Sequence, residues 1–406
     1  MPSSRVRVMA VLFCLAIVAA LPPAPAQAQK AYDPGVTDSA ITFGHSLPLS
    51  GLGSATGAVG LAAGDYFNMV NDKGGVHGRR LNFIQLDDGY NPARTLEMTR
   101  RLVEAEHVFF IYATQGTPPN IAIQKYLTVA KVPQLFIGSG ASRWNDPHRF
   151  PWTIPAIPGY RAEARIFARF ILAHRPGAKI ALLYQNDDFG RDYLIGLKEG
   201  LGPNATELVA QQSYEATDPS VTSQMISLQA SGAGVLVIAS IPTQGAQAIH
   251  KAADLGWHPL ILINYVSNSP ASVLRAAGAG PSKGVISTFF NRDPTDPQWQ
   301  GTPAMAAYEA WLKEYGHDLN PADPQNVTGY VLAQLLVEVL QRCGDTLTRA
   351  NLVREATHVS ELSLPMLLPG ITISYSPTDY TPFRKLQLEQ FDGERYRPLG
   401  APVSLE

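Results

Sequence analysis

The chain has 406 residues, of which 45% are hydrophobic and 16% charged, and its formal net charge is −2. Nucleic acids and anionic membrane surfaces select proteins with clustered positive charge, so this balance argues against both as partners. A single hydrophobic core rarely serves more than about 250–300 residues. The length therefore predicts two domains.

The first residues are typical of a secretory signal peptide. Two arginines precede an apolar run from Val8 to Leu21, and Ala26–Ala28 offers a small-residue cleavage site. The run is shorter than the roughly 18 residues that a membrane anchor needs, so a retained anchor is the less favoured alternative. We predict a signal peptide over residues 1–28 and a periplasmic mature protein. Cys343 would be the one cysteine left, so we expect no disulfide within it.

From Ile41 onward, short apolar runs alternate with segments of helical periodicity, which is typical of strand–helix units around parallel sheets. Apolar residues from Val59 to Val70 recur at helical spacing, and the apolar segment Val327–Cys343 predicts a buried helix. The predicted strands, in chain order, are Ile41–His45, Leu81–Leu86, Val108–Tyr112, Gln134–Gly138, Lys179–Tyr184, Leu208–Tyr214, Gly234–Ala239, Leu260–Asn264 and Gly284–Phe290.

Three stretches rich in proline or glycine are predicted to cross between lobes: Pro151–Pro158, Asn291–Pro297 and Leu367–Ile373. The predicted fold class is α/β, with two doubly wound parallel-sheet lobes joined by three hinge crossings. The lobe boundaries follow from the crossings: residues 29–157 plus 291–369 form lobe I, and residues 158–290 plus 370–406 form lobe II. We expect a ligand in the cleft between the lobes, at the carboxyl ends of the strands.

The loop Gly51–Gly57 follows the first predicted strand and precedes a helix. Its spacing, G-x-G-x-x-x-G, is one residue longer than that of a dinucleotide-binding loop, so we expect no cofactor. Two interpretations stay open, a capped turn without a ligand and one rim of a ligand cleft. We favour the rim.

The segment Thr117-Pro118-Pro119-Asn120 predicts a helix that starts directly after a strand. Its free backbone N–H groups would face the strand ends, with Gln115 and Gly116 leading into the helix. A helix N-terminus of this kind is a site for a ligand carboxylate. The alternative is an ordinary capped helix.

The loop Gly138–Ser142 offers small residues and two hydroxyl groups, those of Ser139 and Ser142. It resembles the G-x-S-x-G nucleophile elbow, but Trp144 stands where the elbow needs glycine. The histidines are scattered and no cysteine pair exists, so we expect neither a catalytic set nor a metal site. The acidic pairs Asp87-Asp88 and Asp187-Asp188 are interpreted as solvated or helix-capping residues.

Several phrases together resemble the type I periplasmic binding proteins of the leucine/isoleucine/valine-binding class, in the order found in that family. They are S-L-P-L-S-G at Ser46–Gly51, V-N-D-K-G-G-V-H-G-R at Val70–Arg79, L-D-D at Leu86–Asp88, V-P-Q-L-F-I-G-S-G-A-S at Val132–Ser142 and L-Y-Q-N-D-D-F-G at Leu183–Gly190.

The resemblance implies a receptor that closes on a ligand and delivers it to the membrane permease of an ABC importer, without catalysis. It also implies roles for single residues. Phe189 would cover the ligand from the second lobe. The positions that would hold the ligand's carboxylate are Gly116, Thr117, Ser139, Ala141 and Ser142.

The sequence departs from the family where amino-acid binders place an acidic side chain to pair the ligand's ammonium group. The matching stretch, Asn264–Asn268, contains no acid, and the family's cysteine pair is missing. A buried ammonium without a charged partner costs several kcal/mol, so we expect a small carboxylate without a free ammonium group. Phe189 and Tyr265 suit a flat, apolar ligand such as an aromatic acid.

Two alternatives remain for the role of the chain. One is the ligand-binding subunit of a sensory system with the same fold, and the other is an ordinary branched-chain amino-acid binder. An extracytoplasmic enzyme is disfavoured because no nucleophile, base or metal set is recognisable. We expect a monomer.

Overall fold

The structure is a computed structural model that describes residues 30–405. The predicted signal peptide lies outside the described residues and stays a prediction. Within residues 30–405 no helix is both long enough and apolar enough to cross a membrane.

The chain builds two large sheets. The strands are β1 (Ala31–Tyr32), β2 (Ala40–Leu47), β3 (Arg80–Asp87), β4 (Ile111–Tyr112), β5 (Gln134–Ile137), β6 (Thr153–Pro155), β7 (Ile180–Gln185), β8 (Leu208–Tyr214), β9 (Val235–Ala239), β10 (Leu260–Ile263), β11 (Ile286–Phe289), β12 (Thr346–Leu347), β13 (Lys385–Phe391), β14 (Tyr396–Pro398) and β15 (Val403–Ser404). The first sheet has the strand order β3-β2-β4-β5-β6, with all neighbours parallel. The second has the order β14-β13-β11-β10-β9-β7-β8, with β15 paired to β13.

Every predicted strand overlaps an observed one. Most are short apolar runs that a parallel sheet buries on both faces, whereas the edge strands β3 and β8 are only partly buried. One edge of the second sheet differs from the prediction of purely parallel lobes. There, β13 runs antiparallel to β11, and β14 and β15 run antiparallel to β13. The sequence K-L-Q-L-E-Q-F of β13 alternates apolar and polar residues, which is the pattern of an antiparallel strand.

Helices cover the faces of both sheets. The helix Pro324–Cys343 packs against Ala58–Asp72 beside the first sheet, and Tyr160–His174 packs against Asp188–Leu201 beside the second. The α-helices are α1 (Ala58–Asp72), α2 (Pro92–Arg100), α3 (Thr117–Ala130), α4 (Tyr160–His174), α5 (Asp188–Leu201), α6 (Thr222–Ala230), α7 (Pro242–Asp254), α8 (Arg275–Ala277), α9 (Ala279–Ser282), α10 (Pro303–Tyr315), α11 (Pro324–Cys343) and α12 (Arg349–Ala356).

The chain passes between the two sheets three times, and the three linking segments lie close together. It leaves the first sheet after β6, returns after β11 to place α11 against α1, and re-enters the second sheet at β13. Asn291 and Leu367 form an isolated antiparallel bridge. The Tyr375 hydroxyl donates to the carbonyl oxygen of Pro155 at 2.7 Å. The three linking segments are therefore neighbours.

The third linking segment stays beside the first sheet for longer than predicted. The Tyr380 hydroxyl donates to the carbonyl oxygen of Pro151 at 3.2 Å, and β13 begins only at Lys385. These contacts favour a crossing later in the chain than residue 370. The exact lobe boundaries stay a prediction.

Candidate functional site

A cavity of about 70 Å³ lies between the two sheets. Its lining follows the carboxyl ends of strands from both: Gln115–Thr117 follow β4, Phe189 follows β7 and Tyr265 follows β10. Ligands bind at such strand ends in open α/β sheets. A buried water needs about 10–15 Å³, so the cavity has room for several waters or for a small ligand.

Five of the eight residues predicted to bind a ligand line this cavity: Gln115, Gly116, Thr117, Phe189 and Tyr265. The other three, Ser139, Ala141 and Ser142, do not line it in the described chain, where Gly138 takes the place nearest to them. The structure therefore brings together the strand-end residues and leaves the small-residue loop behind them.

Ser142 is engaged by the protein itself. Its backbone N–H donates to Asp192 Oδ2 at 2.5 Å, and its hydroxyl donates to Asp192 Oδ1 at 2.7 Å. The predicted direct role of Ser142 in holding a ligand carboxylate does not fit this arrangement, because the carboxylate of α5 already takes both donors. One turn earlier on α5, Asp188 pairs with Arg143 at 2.7 Å.

Ser139 supports the cavity from behind. Its hydroxyl oxygen accepts from Trp144 Nε1 at 2.8 Å and lies 2.6 Å from Thr117 Oγ1. The two hydroxyl groups share one hydrogen bond, so a second proton remains whichever group donates. The Tyr160 hydroxyl is an acceptor within reach of it, because side-chain hydrogen bonds from Ser139 and Thr117 act on the pKa of Tyr160. Thr117 lines the cavity, and this pair supplies a hydroxyl donor beside it.

The N-terminus of α3 offers fewer free backbone N–H groups than the sequence predicts. Pro118 and Pro119 have no N–H group, and the N–H of Asn120 bonds the carbonyl oxygen of Gly116 at 3.3 Å. The N–H of Thr117 is left as the backbone donor of this turn. An anion bound at this helix N-terminus would accept from the single N–H group of Thr117 and from neighbouring hydroxyl groups, rather than from the N–H groups of a full helix turn.

Aromatic side chains form the opposite face of the cavity. The Tyr160 ring lies 4.7 Å from that of Phe189 and 5.9 Å from that of Tyr265, measured between centroids. Phe290 contacts Tyr265 edge to face at 5.7 Å. The Tyr265 hydroxyl donates to the Pro158 carbonyl oxygen at 2.6 Å, so this ring is fixed and turns its apolar face to the cavity.

No charged side chain of residues 30–405 lines the cavity. Asp88 accepts from the N–H of Tyr90 and the hydroxyl of Thr95. Asp187 caps α5 by accepting from the Gly190 N–H, and it also accepts from the Gln185 side chain. The expectation of solvated or helix-capping residues fits Asp187, which caps α5. It is wrong for Asp88, which is buried and bonds within a turn, whereas Asn91 caps α2.

Glu163 lies directly beneath the aromatic face. Its Oε1 accepts from the Tyr265 N–H at 3.0 Å and from Thr288 Oγ1 at 2.5 Å, and its Oε2 accepts from the Tyr193 hydroxyl. Burial raises the pKa of Glu163 to about 8, although these three hydrogen bonds lower it. The raised pKa favours the protonated, neutral form of this carboxyl group at pH 7.

Several lining residues escaped the sequence analysis. Tyr90 follows the D-D-G phrase after β3, and Tyr160 opens the first helix after a crossing. Asn291 Nδ2 donates to Thr328 Oγ1 at 3.0 Å, whereas its Oδ1 is buried and has no partner in the described chain. Each of these residues lies just after a strand or at a crossing between the sheets, and this position is the sequence feature that could have identified them as cavity-lining residues.

A cavity between two α/β layers that move about linking segments is typical of solute-binding proteins. Residues 40–394 match the family described as periplasmic binding protein, and the chain belongs to this family. The resemblance to the leucine/isoleucine/valine-binding class is confirmed.

Curated relatives carry that name. Leu/Ile/Val-binding protein homolog 7 of Brucella suis biovar 1 is 24% identical over 284 residues, which cover 67% of this chain and 69% of the relative. Leu/Ile/Val-binding protein homolog 8 of Brucella abortus is 20% identical over 314 residues, which cover 74% and 76%.

Solved structures show the fold. A branched chain amino acid ABC transporter protein from Thermus thermophilus with bound valine has a TM-score of 0.81 at 18% identity, covering 91% of this chain and 97% of that one. A fatty acid ABC transporter substrate-binding protein from Thermomonospora curvata has a TM-score of 0.77 at 20% identity, covering 92% and 95%. The predicted fold class, a type I periplasmic binding protein, is confirmed.

Replacing Glu163 with Gln should flatten the pH dependence of the free energy of unfolding. The pKa of Glu163 is about 8 in the folded chain against an ordinary value of 4.5, so the folded state binds the extra proton between these values. The stability that it contributes is fully present below pH 4.5 and is lost as the pH rises through about 8, at up to about 1.4 kcal/mol per pH unit. Urea unfolding across this pH range measures the slope.

Glu389 provides a matched control outside the cavity, because burial also raises its pKa to about 8. Replacing Glu389 with Gln should flatten the slope in the same sense. A slope unchanged by Glu163→Gln but flattened by Glu389→Gln would contradict a protonated Glu163.

Proposed function

We propose that this protein is the extracytoplasmic receptor of an ABC importer, and that it captures a small carboxylate without an ammonium group. A signal peptide over residues 1–28 and delivery to a membrane permease belong to this proposal. The observation that carries it is the cavity lining, in which the described chain places no charged side chain.

The lack of a charged side chain in the described lining disfavours an α-amino acid. An ammonium group moved into this cavity loses its hydration and meets no carboxylate, which costs several kcal/mol. Two buried acids lie behind the lining. Burial raises the pKa of Glu163 to about 8 and that of Asp187 to about 6, and Asp187 already accepts from the N–H of Gly190 and the side chain of Gln185. A ligand that lacks the ammonium group avoids this cost.

A single carboxylate has partners on the first-sheet side. The Thr117 N–H is one donor, and the second hydroxyl proton of the Thr117–Ser139 pair becomes another if it turns from the Tyr160 hydroxyl to the ligand. Hydrogen bonds to an ionised acceptor are about twice as strong as neutral ones. Phe189, Tyr160 and Tyr265 offer rings to the rest of the ligand. An aromatic or branched 2-oxo acid has this combination of groups.

An ordinary branched-chain amino-acid binder is the second candidate. The names of the Brucella relatives and the valine bound in the Thermus thermophilus protein favour it. The Thermomonospora curvata protein is named for fatty acids, which are carboxylates without an ammonium group. Relatives of one fold thus serve both kinds of ligand, and the lining favours the second kind here.

Contacts between the two sides of the cleft support capture by closure. The turn Ser142–Trp144 follows β5 of the first sheet, whereas Asp188 and Asp192 lie on α5 after β7 of the second. The bonds of Ser142 to Asp192 and of Arg143 to Asp188 therefore tie the two sides together. An open form would break them.

Matched pairs of ligands test the missing ammonium. Phenylpyruvate should bind more tightly than phenylalanine, and 2-oxo-4-methylpentanoate more tightly than leucine, by about a hundredfold or more in Kd. Isothermal titration calorimetry with the mature chain measures each pair. Tighter binding of both amino acids would instead establish the branched-chain amino-acid binder.

Removing the ring of Phe189 should weaken binding of phenylpyruvate by roughly 1–3 kcal/mol, since a buried aromatic contact is usually worth this much. The matched control is Phe167→Ala, on a buried residue of α4 that does not line the cavity. Either change costs roughly 3–5 kcal/mol of stability, less than most domains have. Equal Kd values for the two folded variants would assign Phe189 to the core alone.

Replacing Asp192 with Ala should favour the open form, because it removes both bonds to Ser142. Small-angle scattering should show a larger radius of gyration than for the unchanged protein, and phenylpyruvate should reduce it. Asp188→Ala is the matched control, since the Asp188–Arg143 pair is about one third exposed and such pairs contribute about 1 kcal/mol or less. A radius insensitive to Asp192→Ala would exclude it as a closing contact.

A further inference from the structure

Tyr90 separates the ligand cavity from a second space. It lines the cavity of about 70 Å³ and also an outer cavity of about 470 Å³. The outer cavity reaches the surface, because Asn91 and Glu215 in its lining are exposed. Tyr90 thus stands between the smaller cavity and a larger one that continues outward.

The backbone of Tyr90 is held in an unusual conformation. Its φ is +61°, in the left-handed region that bulky residues rarely adopt. The side chain of Asp88 accepts from the Tyr90 N–H at 2.9 Å and fixes this turn. Strain of this kind is retained where the surroundings determine it, and it clusters at ligand sites.

Two glycines make room for the ring. A Cβ atom at Gly53 would lie 2.8 Å from the Tyr90 ring, and one at Gly116 would lie 2.4 Å from it. Side chains at either position would push the ring out of the gap between the cavities. The fit of the ring is therefore built into both neighbouring loops.

The ring reaches across the cleft to the second sheet. Gln185, at the end of β7, turns its Nε2 toward the Tyr90 hydroxyl at 3.5 Å. Gln185 is itself fixed by Asp187 at 2.6 Å and by the Tyr214 hydroxyl at 3.2 Å. Tyr90 thus contacts both sides of the cleft at the boundary between the two cavities.

We propose that the Tyr90 ring is the end wall of the ligand cavity and limits the length of the ligand, which rests on the proposed function. Removing the ring joins the two cavities and admits a longer tail. The charged groups in the described lining of the outer cavity, Asp187 and Glu215, are acids. The admitted tail is therefore neutral or basic and does not carry a second carboxylate.

Glycine is the substitution that tests the wall, because it removes the ring and accepts a φ of +61° without strain. The probes are phenylacetate, 3-phenylpropanoate, 4-phenylbutanoate and 6-phenylhexanoate, each titrated calorimetrically. The unchanged protein should lose on the order of tenfold in affinity for each methylene beyond its limit. Tyr90→Gly should move this limit toward the longer acids but should not bind octanedioate.

Two controls separate the ring from its surroundings. Tyr90→Phe keeps the ring and loses the hydroxyl, so it should keep the length limit of the unchanged protein. Leu52→Ala alters a residue that lines the outer cavity but not the inner one, so it should keep the limit as well. The proposal would be overturned if Tyr90→Gly kept the ligand-length limit of the unchanged protein, or if Leu52→Ala shifted that limit as far as Tyr90→Gly does.

A ligand-independent measurement distinguishes this proposal from the proposed function. If the unchanged protein binds none of the acids, the proposed function fails. Crystal structures then test separately whether the Tyr90 ring divides the two cavities. Tyr90→Gly soaked with p-cresol should show one continuous cavity with the phenol ring in the gap, whereas the unchanged protein should bind none there. Two separate cavities in Tyr90→Gly would overturn the wall by itself.

Discussion

One buried carboxyl group, that of Glu163, determines the second-sheet face of the cavity. It lies on α4 and accepts hydrogen bonds from the N–H of Tyr265, the hydroxyl of Thr288 on β11 and the hydroxyl of Tyr193 on α5. Because burial raises its pKa to about 8 and favours the neutral form, it organises the site with little added charge.

The opposite face is fixed by backbone geometry instead. Ala113 and Tyr90 adopt positive φ values of 49° and 61°, and Gly116 has a φ of 90°. Asn120 holds this arrangement, since its Nδ2 donates to the carbonyl oxygens of Thr114 and Gly116, both at 2.7 Å. Polar loops thus face aromatic rings across a small space, and an amphipathic ligand has one favourable orientation between them.

The fold was largely predictable because parallel strands are apolar runs that the sequence displays directly, and because crossings are rich in proline and glycine. The antiparallel strand β13 alternates in character and left no such run. The site was predictable where chemistry follows a strand end, as at Thr117. It was not predictable where a partner lies far along the chain: Asp192 takes both donors of Ser142 from 50 residues away. Tyr90 escaped because its role depends on glycines in two other loops.

The contacts across the cleft in the described chain are individually weak, and this limits how firmly the protein closes without a ligand. Besides the bonds of Ser142 and Arg143 they include Thr243 Oγ1 to the Leu52 carbonyl oxygen at 3.0 Å and Gln185 to the Tyr90 hydroxyl at 3.5 Å. The pair Asp188–Arg143 is partly exposed, and exposed pairs contribute about 1 kcal/mol or less. The bonds between Ser142 and Asp192 add a contribution of similar order per bond, offset by the burial that raises the pKa of Asp192. A ligand shifts an open–closed equilibrium only by its differential affinity for the two forms. If the ligand contacts both faces of the cavity only in the closed form, it binds that form more tightly than the open form. A membrane partner that pulled the two sides apart would remove this difference in affinity.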